Sequence, residues 1–236
     1  MIRALIVDDE IYAQEEMAAL LGETGAIEVI GSCGNGIEAL KLINKLRPQV
    51  LFLDIQMPVI SGFELLNMVN KEIMPHVVFV TAYDQYSLKA FEEKTLDYLL
   101  KPVDGERLAK TITKLQQTIG ENRQPTFDAE EITRIPCILG NRIRLVGLDE
   151  VVYVTSTVAG VQVATMNGEH FTEVTLKVLE ERTKLLRCHK QFLINIDYIK
   201  EIVLLEGSMA RIVTRVGKTI PVSRRNLKII KKKLLI

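Results

Sequence analysis

The sequence predicts two domains of different class: an α/β doubly wound five-stranded parallel sheet, followed by a mainly β domain. Three observations lead there. Short apolar runs alternate with helix-spaced apolar residues over residues 1–120, and beyond residue 131 the pattern changes to closely spaced short strands with turn signals. The charge also reverses, from 11 Lys and Arg against 17 Asp and Glu in residues 1–120 to 19 against 13 in the remainder, although the whole chain is neutral.

In the first half, Ala4 to Val7, Val29 to Gly31, Val50 to Leu53, Val77 to Val80 and Asp97 to Leu100 read as short buried strands. Between and after them, Tyr12 to Leu21, Gly36 to Leu46, Gly62 to Asn70, Gln85 to Glu93 and Gly105 to Ile119 space their apolar residues for helices. Runs apolar at consecutive positions belong to parallel strands covered on both faces, so an open sheet wrapped by helices follows, with its sites at the carboxyl ends of the strands. Glu121 to Glu131, ENRQPTFDAEE, is polar, carries Pro125 and has no period, and reads as a linker. The domains are therefore residues 1–120 and 132–236.

The second half reads as strands at Thr133 to Leu139, Arg142 to Val146, Val151 to Thr155, Gly160 to Thr165, Glu169 to Thr172, Tyr198 to Leu204, Ala210 to Thr214 and Lys218 to Pro221. Asn167-Gly168 is a two-residue hairpin signal. Helices are expected at Leu176 to Thr183 and at the basic Arg224 to Leu235. No pair of helices with a short turn reads as a helix-turn-helix.

With 236 residues, 47% hydrophobic and 25% charged, the chain can bury real cores. No apolar stretch approaches the roughly 20 residues that span a bilayer. The start MIRALIVDDE lacks a signal-peptide layout, so the expectation is a cytoplasmic protein without membrane insertion. Cys33, Cys137 and Cys188 are odd in number and widely separated, and read as reduced structural thiols. His189 has no second His or acidic residue at ligand spacing and reads as a packed or hydrogen-bonded histidine.

Polar residues collect at the strand ends. Asp8 and Asp9 follow the first strand, Asp54 closes the third, Thr81 follows the fourth and Lys101 follows the fifth. Asp-Asp before a helix is on its own an N-cap pattern, and Lys-Pro after a strand a turn; the full set, each member at a strand end, points to a site. Clustered carboxylates repel unless a cation neutralises them, and hard oxygen donors suit Mg²⁺. With Asp8 and Asp9 as a metal pair, Asp54 is the candidate nucleophile for an acyl phosphate, and Thr81 and Lys101 the candidate contacts for the phosphoryl oxygens.

LIVDDE, FLDIQMPVISG, VTAYD and DYLLKP resemble the signature segments of the receiver domain of two-component response regulators, a flavodoxin-like fold, over residues 1 to about 120. The resemblance implies Asp54 as phosphoacceptor, Asp8, Asp9, Asp54 and the Gln56 backbone carbonyl around Mg²⁺, Thr81 and Lys101 as phosphate contacts, and Tyr98 as the switch aromatic. From about residue 131 onward, RCHKQFLIN and PVSRRN are similar to LytTR-type DNA-binding domains. That similarity implies DNA contacts from the Thr157 to Gly160 loop, Lys190 and Arg225. It adds phosphate contacts from Arg187, Lys184, Gln191 and Arg224. Gly160 stands where relatives can carry a larger polar residue. General similarity across both domains implies the pyruvate-responsive subgroup, although no segment reads as a pyruvate site and the signal would be sensed by the kinase.

The expected function is that of a phosphorylation-controlled transcription regulator. A sensor histidine kinase donates to Asp54, receivers pair as homodimers, and the basic domains engage direct repeats in double-stranded promoter DNA. Such a protein is no enzyme beyond Mg²⁺-dependent self-phosphorylation and dephosphorylation. Two other readings stay open on the sequence alone. An aspartyl-phosphate phosphatase would need DxD after its first strand, where this chain has adjacent Asp8-Asp9. The basic half could instead grip RNA or an acidic protein.

Overall fold

The structure is a computed structural model that describes residues 1–82, 95–125, 127, 129–205 and 210–235. It divides into two units, Met1–Glu130 and Glu131–Ile236. Among the described residues no helix is long and apolar enough to cross a membrane.

In the first unit β1 (Ile2–Val7), β2 (Ile27–Cys33), β3 (Val50–Leu53), β4 (His76–Thr81) and β5 (Asp97–Leu100) form one parallel sheet in the order β2-β1-β3-β4-β5. The helices are α1 (Ile11–Glu23), α2 (Gly36–Leu46), α3 (Gly62–Asn67) and α4 (Gly105–Gly120), with a 3-10 turn at Lys71–Ile73. The helix expected from Gln85 to Glu93 lies outside the described residues.

Side chains alternate across the sheet, which sorts the core into two layers. Ala4, Ile6, Phe52, Val78 and Val80 pack against Met17 and Leu21 of α1 and Leu108, Ile112 and Leu115 of α4. Residues of opposite parity face the other way, and Phe79 meets Phe63 of α3 with ring centroids 4.8 Å apart. The sheet is therefore doubly wound, as its continuous apolar strands predict. Its order reverses at β1, which lies between β2 and β3, and the ends of β1 and β3 define the crevice where ligands bind in such sheets.

Residues 121–130 count with the first unit. Arg123 N–H donates to Thr118 O at 3.1 Å, and Glu130 N–H donates to the Asn67 side-chain oxygen at 3.0 Å.

The second unit contains a seven-stranded sheet in the order β11-β12-β8-β9-β10-β6-β7 and a three-stranded sheet in the order β13-β14-β15. The strands are β6 (Arg134–Leu139), β7 (Arg142–Gly147), β8 (Tyr153–Thr157), β9 (Gly160–Thr165), β10 (Gly168–Thr172), β11 (Leu186–His189), β12 (Phe192–Ile194), β13 (Ile199–Leu204), β14 (Ala210–Thr214) and β15 (Thr219–Val222). Helix α5 (Leu176–Arg182) precedes β11, and α6 (Arg224–Leu234) ends the described chain. Tyr153 and Ala164 of the larger sheet share a core with Ile212 and Ile220 of the smaller one and Ile230 of α6.

Two differences from the sequence reading have local causes. LRCH and FLI form β11 and β12, paired with each other and, through β12, with β8, where no strand was expected; each is too short and too interrupted by polar residues to show a period. The β9–β10 hairpin turns through Met166-Asn167, one residue earlier than expected, because Thr165 pairs with Gly168. Thr165 Oγ1 accepts from Asn167 N–H and donates to Gly168 O, both at 3.2 Å, while Gly168 takes φ 137°. Thr157, Ala159 and Gly160 close the β8–β9 turn in the same way, with Gly160 at φ 130°.

Candidate functional site

The register of the first sheet brings the predicted receiver residues together. Val7 pairs with Leu53, and Asp54 N–H donates to Val7 O at 2.8 Å, so Asp8 and Asp54 leave neighbouring strands side by side. Thr81 pairs with Leu100, and Lys101 N–H donates to Thr81 O at 2.9 Å. The Lys101-Pro102 bond is cis. Lys101 Nζ lies 2.6 Å from Asp8 Oδ2, 3.3 Å from Asp54 Oδ2 and 3.9 Å from Glu10 Oε2.

Asp8 and Asp54 are buried, whereas Asp9 is exposed, and one carboxylate oxygen from each lies within 4.8 Å of the others. Asp8 is held by its surroundings: Glu10 N–H donates to its Oδ1 at 3.0 Å, and Gln14 Nε2 donates to its backbone oxygen at 2.7 Å. Gln56 N–H donates to Asp54 Oδ1 at 3.3 Å. Burial raises the Asp8 pKa, and the hydrogen bond from Lys101 only partly offsets it; the neighbouring Asp54 charge adds to the rise. Burial also works against the Lys101 ammonium, but the Asp8 hydrogen bond and the Asp54 and Asp8 charges outweigh it and raise its pKa. Three carboxylates face one ammonium, a deficit of positive charge that a hard divalent cation would meet, so the donor set fits Mg²⁺.

Thr81 is fully buried, and its hydroxyl has no partner among the described residues. A buried hydroxyl left without a partner costs about 1–3 kcal/mol. Gly62 is required by packing: a Cβ there would stand 2.5 Å from Asp54 O. The adjoining loop holds Val59 at φ 72°, with Ile60 N–H donating to Pro58 O at 2.9 Å.

Tyr98 is half-buried on β5, and Arg107 secures its backbone: Nη2 donates to Tyr98 O at 3.1 Å and to Asp97 Oδ1 at 2.5 Å. Arg107 Nη1 donates to Asp97 Oδ2 at 2.9 Å, and Thr111 Oγ1 donates to the same oxygen at 2.7 Å. This brace between β5 and α4 leaves no mark in the sequence motifs.

In the second unit, Arg187, Lys190 and Arg225 line one cavity of about 780 Å³ together with His189, Ser223 and Asn226. Ser223 joins α6 to β11: its N–H donates to Cys188 O at 2.9 Å, and its hydroxyl caps the helix by accepting from Asn226 N–H. Thr157 and Gly160 do not line this cavity, but their hairpin adjoins it, because Ser156 N–H donates to Gln191 O at 2.9 Å. Lys184, Lys190, Gln191, Arg224 and Arg225 are exposed. His189 Nδ1 accepts from Gln191 N–H at 3.3 Å, a turn-forming role. Gly160 serves the backbone, since φ 130° excludes side chains that the space beside Phe171, 3.7 Å from a built Cβ, would admit.

Comparison with known proteins matches residues 4–113 to the response regulator receiver domain and residues 141–235 to the LytTr DNA-binding domain. The chain is 52% identical to an uncharacterized response regulatory protein of Vibrio cholerae, over 99% of both chains. It is 47% identical to one of Yersinia pestis, over 99% of both, and 46% identical to the transcriptional regulatory protein BtsR of Escherichia coli, over 98% of both.

Proposed function

The chain belongs to the response regulators that join a receiver domain to a LytTR DNA-binding domain, and on that premise we propose that Asp54 accepts the phosphoryl group controlling its activity as a transcription regulator. The observation that carries this reading is the convergence of Asp54, Asp8 and Lys101 Nζ at the switch point of the sheet.

A histidine kinase is the donor. An Asp54 carboxylate oxygen attacks phosphorus, the P–N bond to the donor histidine breaks, and the imidazole leaves after taking a proton. Asp8, Asp9, Asp54 and the Gln56 backbone carbonyl would hold Mg²⁺, which when bound neutralises charge on the phosphoryl oxygens. Lys101 moves from its carboxylate partners to a phosphoryl oxygen, and the buried Thr81 hydroxyl donates to another. Tyr98, next to that strand end on β5, follows the change at Thr81 and alters the face through which two receivers pair.

Pairing sets two basic domains on direct repeats in promoter DNA, and raises effective concentration so that weak single contacts become useful affinity. Lys190 and Arg225 are the proposed principal contacts, with Gln191, Lys184, Arg224 and the Thr157 to Gly160 hairpin around them. The cytoplasm is where such a regulator meets DNA.

Treating the wild type and Asp54→Asn with a small phosphodonor and Mg²⁺, then measuring intact mass and promoter binding, tests the proposal. The wild type is expected to gain one phosphoryl mass and bind DNA more tightly, and the variant to do neither. A phosphoryl adduct on Asp54→Asn would overturn the assignment.

A further inference from the structure

The turn that carries Lys190 is held from behind by an ion pair reaching seven residues back. Arg187 Nε donates to Glu180 Oε2 at 2.8 Å and Nη2 to the same oxygen at 2.5 Å, while Nη1 donates to Lys190 O at 3.1 Å. A guanidinium has five N–H donors, and the Nε/Nη2 edge is the one that meets a carboxylate or a phosphate side-on. Here that edge is occupied by Glu180 of α5. The Arg187 side chain is only 22% exposed, whereas Lys190 projects into solvent.

The backbone around this brace is irregular and needs support. Arg187 pairs with Leu193 but His189 with Phe192, so β11 bulges at Cys188, and bulges re-aim the side chains beside them. Past the bulge, Gln191 N–H reaches back to His189 Nδ1, Gln191 O is bound by Ser156 N–H, and Lys190 O is bound by Arg187. Each residue of the turn is thus tied to a different neighbour.

We propose that Arg187 is a positioning residue that, with Glu180, fixes the backbone presenting Lys190, and that it makes no phosphate contact of its own. The assignment rests on the reading that Lys190 meets DNA. It explains why an acidic residue, Glu180, lines a cavity that otherwise presents cations to a polyanion.

The two roles differ in salt dependence, because each phosphate contact contributes about 0.9 to the slope of log affinity against log salt on duplex DNA. The experiment measures that slope for the intact protein on a duplex it selects from a random-sequence pool. It compares wild type, Lys190→Ala, Glu180→Gln, Arg187→Ala and the Glu180→Gln/Arg187→Ala double variant. Glu180→Gln and Arg187→Ala are each expected to weaken binding roughly tenfold and to share one salt slope, and the double variant to be no weaker than Arg187→Ala. Amide exchange at Gln191 is expected to quicken in both single variants and not in Lys190→Ala. A slope lower by about one in Arg187→Ala than in Glu180→Gln, or tighter binding by Glu180→Gln, would make Arg187 a phosphate contact and overturn the proposal. Should Arg187→Ala fail to fold, the near-isosteric Glu180→Gln decides alone. Wild-type affinity and slope in Lys190→Ala would instead sink the premise, an outcome distinct from failure of the brace.

Discussion

Replacing Thr81 by Val separates stability from signalling. The residue is fully buried and its hydroxyl has no partner among the described residues, so replacing it breaks no hydrogen bond among them. Val has the same shape, and the backbone bond from Lys101 N–H to Thr81 O is untouched. Removing a desolvated, unpaired hydroxyl recovers about 1–2 kcal/mol, where a Thr→Val change at a satisfied hydroxyl would cost a similar amount. With a urea slope of about 2 kcal/mol/M, the unfolding midpoint is expected to rise by roughly 0.5–1 M. The same variant should still take a phosphoryl group on Asp54 and yet lose the phosphorylation-dependent gain in DNA affinity, because the hydroxyl that would bind the phosphoryl oxygen is gone. Equilibrium urea unfolding and DNA binding with and without phosphodonor read the two effects. A midpoint below the wild type would show that the hydroxyl is already satisfied, and would refute the argument that it awaits a partner.

Asp97 provides a pH test. Burial pushes its carboxyl up, but hydrogen bonds from Arg107, Thr111 and its neighbour's N–H outweigh that and hold the pKa below 3.8. A depressed acid contributes stability that is complete above the unfolded value and lost as pH falls through the folded one. The gap between wild type and Asp97→Asn, about 1 kcal/mol after allowing for an Arg107 side chain that is 42% exposed, should therefore hold from neutral pH down to the upper edge of the carboxylate range and close below 3.8; a gap unchanged in stronger acid counts against it. Val59, β-branched at φ 72°, strains the loop after Asp54, so Val59→Gly should raise the urea midpoint by an amount equal to about 0.5–1 kcal/mol, the strain relieved less the extra chain entropy of glycine, and a lowered midpoint argues against it. Burial pushes the thiols of Cys33, Cys137 and Cys188 up to about 12, so a thiol reagent at neutral pH should label none of them in the native protein and all three in urea; fast native labelling would contradict their burial.

The family of the chain and its candidate chemistry were legible in the sequence for a physical reason. Parallel strands covered on both faces are written as unbroken apolar runs such as Val50 to Leu53, and the residue that ends each run lands on the functional edge by covalent connection alone. Asp8, Asp54, Thr81 and Lys101 could therefore be named before any coordinate. The mainly β character of the second unit was equally open, since hairpin strands and their turns are local.

Only the tertiary structure decided what depends on residues distant in sequence. The order β2-β1-β3-β4-β5 sets Lys101 Nζ against carboxylates 93 and 47 positions away, and no spacing rule contains that pairing. That the Thr81 hydroxyl meets no partner among the described residues is a property of packing, and so is the need for Gly62 beside Asp54 O. β11 and β12 exist because neighbouring strands complete their hydrogen bonds, since neither could hold together alone. Arg187 illustrates the limit most directly. In the sequence it is one more cation in a basic run, while in the fold its guanidinium is bound to Glu180 and to the carbonyl of Lys190, because local pattern records charge and only three-dimensional contact records what that charge has already met.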